Sequence, residues 1–187
     1  MRKRLGKNFY QRDTLRVAQG LLGKYIVRKW RGREIKGKIV ETEAYIGPQD
    51  KASHAFGGKV TSRNKAVYLP GGYIYIYLVY GIYWQLNIST SFSGKPECVL
   101  IRALEPVGRK ERIASGPGKL CRYLKLNKSF YGEDLTKSKR IWLEDWGEKI
   151  KRNNIIQKER IGINYAQEWA KKPWRFYIQN NMFISHR

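Results

Sequence analysis

The chain is poor in acids, cysteine and histidine. Its 15 Asp and Glu stand against 38 Lys and Arg, a formal charge of +23 over 187 residues. A surplus of that size repels itself unless a polyanion is near, which points to nucleic acid first and an acidic membrane second. The two cysteines, Cys98 and Cys121, belong to no C-x-x-C pair, so reduced core thiols are expected. His54 and His186 are the only histidines. A zinc site would need every one of these four residues without any local spacing, and the H-x-E with P-C-x-x-C pattern of the nucleobase deaminases is missing. No apolar run reaches the roughly 18 residues of a membrane span, and no apolar signal region follows the basic Met1-Arg2-Lys3-Arg4. A protein that is not membrane-bound is expected, cytoplasmic in location (nucleoid-associated in a bacterium, nuclear in a eukaryote). No repeat, linker or low-complexity block divides residues 1–187, so one domain with a substantial core is expected.

What the chain does have is tyrosine, concentrated in Tyr73–Ser89. Alternation there puts Tyr73, Tyr75 and Tyr77 on one strand face and Ile74, Ile76 and Leu78 on the other. Gly81 allows a sharp reversal and leaves Tyr80 at the tip of a β-hairpin. A buried hairpin with backbone-bonded tyrosines fits this stretch. So does an aromatic wedge aimed at nucleic acid.

The remaining elements alternate between strands and short helices. Asp13-Thr14 starts a helix carrying Leu15, Ala18, Leu21 and Leu22 and ending at Gly23. Tyr25–Trp30 and Glu34–Tyr45 read as strands joined through Arg31-Gly32-Arg33. Cys98–Leu104, Ile141–Leu143 and Trp174–Ile178 read as further strands, Arg160–Tyr165 as a strand or turn, and Gln167–Lys171 as a short helix stopped before Pro173. Asp50 caps a turn through His54, and Thr61-Ser62-Arg63-Asn64 suits phosphate contacts or an ordinary polar loop equally well. Gly116-Pro117-Gly118-Lys119 looks like a phosphate-holding turn before a helix, without the spacing of a Walker motif.

Period two also places Glu41, Glu43 and Tyr45 on one face. Neighbouring carboxylates are one way to tune an acid or a base, or they simply pair with the abundant cations. Arg102 lies inside an apolar strand and needs a carboxylate such as Glu43.

Taken together, these stretches resemble the alkyladenine (3-methyladenine) DNA glycosylase family. The resemblance rests on Val40-Glu41-Thr42-Glu43-Ala44-Tyr45, Asp50 through His54, Thr61 through Asn64, Pro70-Gly71 with Tyr75 through Gly81, Asn87-Ile88-Ser89, Leu100 through Pro106, Gly116 through Cys121, and Glu168 through Pro173 with Arg175-Phe176-Tyr177. They occur in family order from about residue 9 onward, while residues 144–160 fit no family pattern. The resemblance implies a mixed α/β (α+β) fold: one compact domain with a curved antiparallel sheet, flanking helices and a protruding hairpin. It implies hydrolysis of the N-glycosidic bond of a flipped, alkylated or deaminated purine (3-methyladenine, 7-methylguanine, hypoxanthine or ethenoadenine type). Glu43 matches the general base that holds water, with Arg102 and the main-chain carbonyl of Ile161 beside it. Tyr45, His54 and Tyr77 match the rings around the base, Asn87 the pocket floor, and Tyr80 the intercalating wedge. The implied partner is double-stranded DNA, bound by a monomer with no obligate protein partner. No metal or organic cofactor is implied.

The chemistry is coherent on its own terms. A base inside a duplex must be flipped out at a cost of a few kcal/mol. An alkylated purine is cationic, so it gains roughly 0.5–2 kcal/mol over electron-rich rings and leaves without a general acid. A non-catalytic nucleic-acid binder is the competing class, but it has no need of a carboxylate beside its stacking rings. A carbohydrate glycosidase built on Glu41 and Glu43 would suit a neutral sugar, which the charge opposes.

Overall fold

The computed structural model describes residues 2–186; Met1 and Arg187 lie outside them. The chain enters through a two-residue strand, Lys3–Arg4 (β1), and two short helices, Lys7–Tyr10 (α1) and Thr14–Gly20 (α2). The Asp13 side chain caps α2 by accepting from Arg16 N–H at 2.9 Å. Tyr25–Trp30 (β2) then turns through Arg31 and Gly32, both at positive φ, into the 14-residue strand Arg33–Ile46 (β3).

Ile74–Val79 (β4) and Tyr83–Ser89 (β5) form the hairpin. Glu97–Pro106 (β6) follows, then Pro117–Tyr123 (α3), Ile141–Asp145 (β7), Ile155–Lys158 (β8) and Arg175–Ile178 (β9). The nine strands make one antiparallel sheet in the order β1-β7-β2-β3-β6-β5-β4, with β9 bridging β3 and β8. This is the expected mixed α/β domain with a single sheet and flanking helices.

β3 explains where the site lies. Its first half pairs with β2 on one edge; past a register shift between Ile39 and Thr42, β9 takes over that edge at Glu41–Glu43. β6 runs along the other edge from Gly37 to Ile46. Glu41 and Glu43 therefore sit inside the sheet, not at its border, and neither is exposed. The bulge re-aims the backbone next to them.

The core forms on the aliphatic faces. Ile74, Ile76, Leu86 and Ile88 of the hairpin meet Ile39, Val99, Ile101 and Leu104, with Val17 and Leu21 of α2 and Leu120 and Leu124 of α3 closing over them. Each such fully buried side chain contributes about 1.5–3 kcal/mol. The alternation read from the sequence thus sends aliphatic residues to the core, while Tyr75 goes to a separate cluster with Ala66, Val67 and Cys98.

Some expectations need correction. The segment before Pro173 is a 3-10 turn, Asn164–Trp169, not a helix over Gln167–Lys171. It breaks at Gln167, whose backbone is left-handed (φ 53°), because both ends are tied down: Ala166 packs against Ala52 and Ile163, and the Trp169 carbonyl accepts from Arg160. Arg160–Tyr165, read as a strand or a turn, holds no strand: a bend at Ile161-Gly162 leads into the 3-10 turn, and the unaligned stretch 144–160 supplies β8 and the end of β7. No helix is long and apolar enough to cross a membrane among the described residues.

Candidate active site

A cavity of about 350 Å³ opens where β3, β4, β5 and β6 meet the Ala52–His54 turn and the loop 161–165. That volume lies in the range of small-molecule pockets. Tyr45, His54, Tyr77, Tyr80, Asn87, Arg102 and Ile161 all line it, so seven of the eight residues singled out in the sequence converge from six separate segments. The eighth, Glu43, lies one contact behind the wall.

Glu43 is fully buried, and its carboxylate is held by three donors. Oε1 accepts from Ile161 N–H at 2.8 Å and faces Arg102 Nη1 at 3.1 Å; Oε2 accepts from the Tyr45 hydroxyl at 2.9 Å. A carboxylate offers about four acceptor positions. Three are filled, and the open one lies on Oε2, beside Tyr45. Ile161 therefore meets Glu43 through its N–H, a different atom from the carbonyl that the resemblance assigns to the water.

Glu41 is the other half of the pair, and it faces away from the cavity. It meets Arg102 Nε at 3.2 Å, Arg175 Nη1 at 3.1 Å and Ser185 N–H at 2.6 Å. Burial works against the Arg102 charge, but Glu43 and Glu41 outweigh it and raise the guanidinium's affinity for its proton. Arg102 is thus the one cation shared by both carboxylates.

The walls are aromatic. His54 and Tyr77 meet edge to face with centroids 4.5 Å apart, and Tyr75 tilts against Tyr77 at 5.1 Å. His54 Nδ1 shares a 2.7 Å hydrogen bond with the Tyr75 hydroxyl. Burial, then the nearby Arg63 charge, lowers the His54 pKa below its usual 6.5, so the ring is neutral at pH 7. Burial, then the Glu43 charge, raises the Tyr45 hydroxyl well above the ordinary phenol range, which keeps it a donor to Glu43. Burial likewise raises Tyr77. Asn87 is buried opposite Tyr75 in the hairpin register. Its side-chain N–H donates to the Gln85 carbonyl at 3.3 Å.

The polar loop read as a phosphate binder has a clear structural part. Asn64 is buried; it accepts from Thr61 N–H at 2.7 Å and donates to the carbonyls of His54 and Lys59 at 2.9 Å. It fixes the backbone that carries His54. Arg63 stays exposed, 5.7 Å from the Tyr77 ring centre.

Tyr80 is 89% exposed at the hairpin tip. Tyr80 and Gly81 both have positive φ (51° and 70°), and Ile82 N–H closes the turn on the Val79 carbonyl at 3.2 Å. Left-handed backbone is natural for Gly81 but costs free energy for a tyrosine. The hairpin is braced from behind: a Cβ on Gly118 would lie 2.8 Å from Tyr83 Cδ1, so α3 can approach β5 only with glycine there.

Sequence reasoning missed the parts played by four residues. Asp50 serves more than its turn: both its oxygens bind Arg160, at 2.5 and 2.9 Å, with both side chains fully buried. Arg160 also donates to the Ala44 carbonyl at 3.0 Å and lies 4.7 Å from the Tyr45 ring centre, so it pins the Ile161 loop to β3 and backs one cavity wall. Arg175 shows the same signal that flagged Arg102, a cation inside an apolar strand. Tyr165, 67% exposed on the rim, carries no sequence signal beyond its place in the loop. Cys98 and Cys121 are free and buried, and burial pushes both thiols up to about 12. No group of three or more metal-ligating side chains occurs among the described residues.

Residues 8–182 match the sequence profile of the methylpurine-DNA glycosylase family. A protein of Desulfitobacterium hafniense, a 3-methyladenine DNA glycosylase by provisional name, is 41% identical, with 98% of each chain covered. The human DNA-3-methyladenine glycosylase is 37% identical over 97% of this chain and 68% of its own length. The mouse protein of the same name is 40% identical over 97% of this chain and 61% of its own. The chain belongs to the methylpurine-DNA glycosylase family, and with it to the DNA glycosylases, hydrolases of N-glycosyl bonds that act in DNA repair.

Proposed function

Starting from that membership, we propose that the chain flips alkylated or deaminated purines out of duplex DNA and hydrolyses their N-glycosidic bond with a water activated by Glu43. 3-Methyladenine, 7-methylguanine, hypoxanthine and ethenoadenine are the substrate classes. The observation that carries the reading is the open acceptor position on Glu43 Oε2. It lies behind an aromatic cavity, on a carboxylate whose other positions Arg102, Ile161 and Tyr45 occupy.

In this reading the base enters between the wall of His54 and Tyr77 and the wall bearing Tyr45. Stacking contributes about 1–3 kcal/mol, and a cationic base gains roughly 0.5–2 kcal/mol more. Tyr80 fills the vacated stack and offsets part of the flipping cost. Asn87, on the floor, screens purine substituents. Water donates to Glu43 Oε2, attacks the anomeric carbon as the base departs, and passes its proton to Glu43. A base that started as a cation leaves as a neutral purine and requires no general acid; a neutral lesion such as hypoxanthine leaves with the bonding pair as an anion and takes its proton from solvent.

The lining residues supply no lysine as an amine nucleophile. The enzyme is therefore monofunctional and leaves an abasic site uncut. It acts as a monomer on DNA, without an obligate protein partner, in the compartment that holds the genome.

The test is base release from a duplex containing one methylated or deaminated adenine, wild type against Glu43→Gln at low salt. Release by the wild type and its loss in a variant that still binds supports the mechanism. No release from any of the four lesion classes, with binding intact, refutes it. A Schiff base trapped by borohydride refutes the monofunctional claim.

A further inference from the structure

The hairpin has a second face. Tyr75, Tyr77, Gln85 and Asn87 line the cavity on one side; on the other, Ile82 and Trp84 line a separate depression of about 400 Å³ against α3. That depression shares Trp30, Arg122 and Lys125 with a neighbour of about 620 Å³ that reaches the β2–β3 turn. Together they make one groove running from beside the hairpin tip past Trp30 to Arg33 and Arg109.

The groove is charged in one sense. Arg33, Arg109, Lys119, Arg122 and Lys125 line it, are exposed, and form no salt bridge among the described residues. Its single carboxylate, Glu34, is already bound to Lys36 at 2.6 Å. Elsewhere on the sheet Lys24 pairs with Asp145 at 2.8 Å and Lys38 with Glu105 at 3.1 Å and Glu148 at 3.3 Å, while Lys3, Lys29 and Lys158 form no salt bridge among the described residues but line neither depression nor the cavity. Trp30 sits where the two depressions meet. The Arg31 guanidinium lies 4.8 Å and the Lys125 ammonium 5.8 Å from its ring centre. A ring already engaged with two cations is an anchor for charge more than a platform for a base. Unpaired charges around a low-dielectric hollow focus the field on whatever anion enters.

We infer that this groove holds the phosphate backbone of one duplex arm, the arm on the side of the hairpin away from the cavity. The inference rests on the wedge reading of Tyr80. A wedge inserted at a lesion leaves a duplex arm on each face of the hairpin. One arm passes the cavity that takes the flipped base. The other has to cross the α3 face, where the groove lies.

The test is duplex binding without chemistry. Three probes carry a stable abasic-site analogue: one with two short arms, one with only the 5′ arm extended, one with only the 3′ arm extended. Wild type is compared with Arg122→Ser/Lys125→Ser, and with a control of equal charge loss, Lys3→Ser/Lys149→Ser, placed at the β1–β7 edge far from the hairpin. Extending one of the two arms should tighten wild-type binding and steepen its salt dependence. Each phosphate contact contributes about 0.9 to the slope of log K against log salt. The groove variant should therefore lose about 1.8 from the slope, on that one probe alone. Between 50 and 200 mM salt this is about twelve-fold in relative affinity. The control should leave the arm-dependent slope unchanged, and release from a short-armed lesion duplex at saturating enzyme should match wild type in both variants.

An equal slope change on both extended probes, the same change in the control, no change at all, or tighter binding of a single strand than of the extended duplex would each overturn the inference. Arm-selective loss in a protein that releases no base from any lesion would uphold the groove and sink the proposed chemistry.

Discussion

Replacing Glu43 by Gln and, separately, Glu41 by Gln should split activity from stability. The two carboxylates share Arg102 and differ in everything else. Gln at position 43 keeps its shape and one oxygen for Ile161 N–H, and Arg102 keeps Glu41 at 3.2 Å. It removes the capacity to take a proton from water, together with the charge that faces Arg102 Nη1 at 3.1 Å. Loss of a positioned general base costs about 10²–10⁴ in rate, or roughly 2.7–5.4 kcal/mol at 1.36 kcal/mol per decade. Gln at position 41 instead removes the charge facing Arg102, Arg175 and the Ser185 N–H, all inside the protein. Breaking a buried pair by removing one partner costs about 3–5 kcal/mol, so this variant should melt early and yet release base at a rate within about tenfold of wild type per folded molecule. The assay is single-turnover release of hypoxanthine from a duplex, with the folded fraction measured by urea titration. If Glu43→Gln releases base within tenfold of wild type while folded, or if Glu41→Gln is the variant that abolishes release, the assignment of the base is wrong.

Three further outcomes are expected. Tyr80→Ala should weaken binding to a lesion duplex by about five- to 150-fold, the equivalent of about 1–3 kcal/mol of stacking, while Tyr80→Phe should stay near wild type in an anisotropy titration; equal losses in both would remove the wedge role. His54 has a pKa lowered by burial and then by Arg63, so it takes up a proton less readily folded than unfolded, and its contribution to stability falls as pH drops below about 6.5. Once protonated it repels a cationic base, so release of 7-methylguanine should fall more steeply than release of hypoxanthine on the acid side, and His54→Gln should abolish the difference; parallel profiles in the wild type would refute this. Asp50→Ala strands the buried Arg160 charge, at a cost of about 3–5 kcal/mol, which should lower Tm by about 6–20 °C at 2–4 °C per kcal/mol; a calorimetric shift under 2 °C would show that the pair is not a structural clamp.

Local pattern carried some of this molecule and distance hid the rest. Alternation in Tyr73–Leu78 predicts both faces of β4, and Arg102 in an apolar strand announces its need for a carboxylate. Each of these signals is contained within a few consecutive residues. The Asp50–Arg160 pair spans 110 residues of sequence, and nothing near Asp50 separates a turn cap from an ion-pair partner when it serves as both. β8 owes its existence to pairing with β9, not to its own composition. The break at Gln167 was equally unreadable, since the positive φ comes from anchors at Ala166 and Trp169 and not from a glycine.

A carboxylate is an awkward neighbour for a polyanion, and the site resolves this by compensation. Glu41, Glu43 and Asp50 are all fully buried, and each lies within an ion pair: Glu41 with Arg102 and Arg175, Glu43 with Arg102, Asp50 with Arg160. Three acids meet three guanidiniums, so the floor of the cavity carries no net charge toward incoming phosphate. Arginine suits the task better than lysine, because its planar fork satisfies two acceptors at once and it stays charged when desolvated. With the acids of the site neutralised inside, the surface surplus of Lys and Arg remains available to the DNA backbone. A chain of +23 can thus keep Glu43 buried one side chain behind the cavity without adding negative charge to the surface that meets DNA.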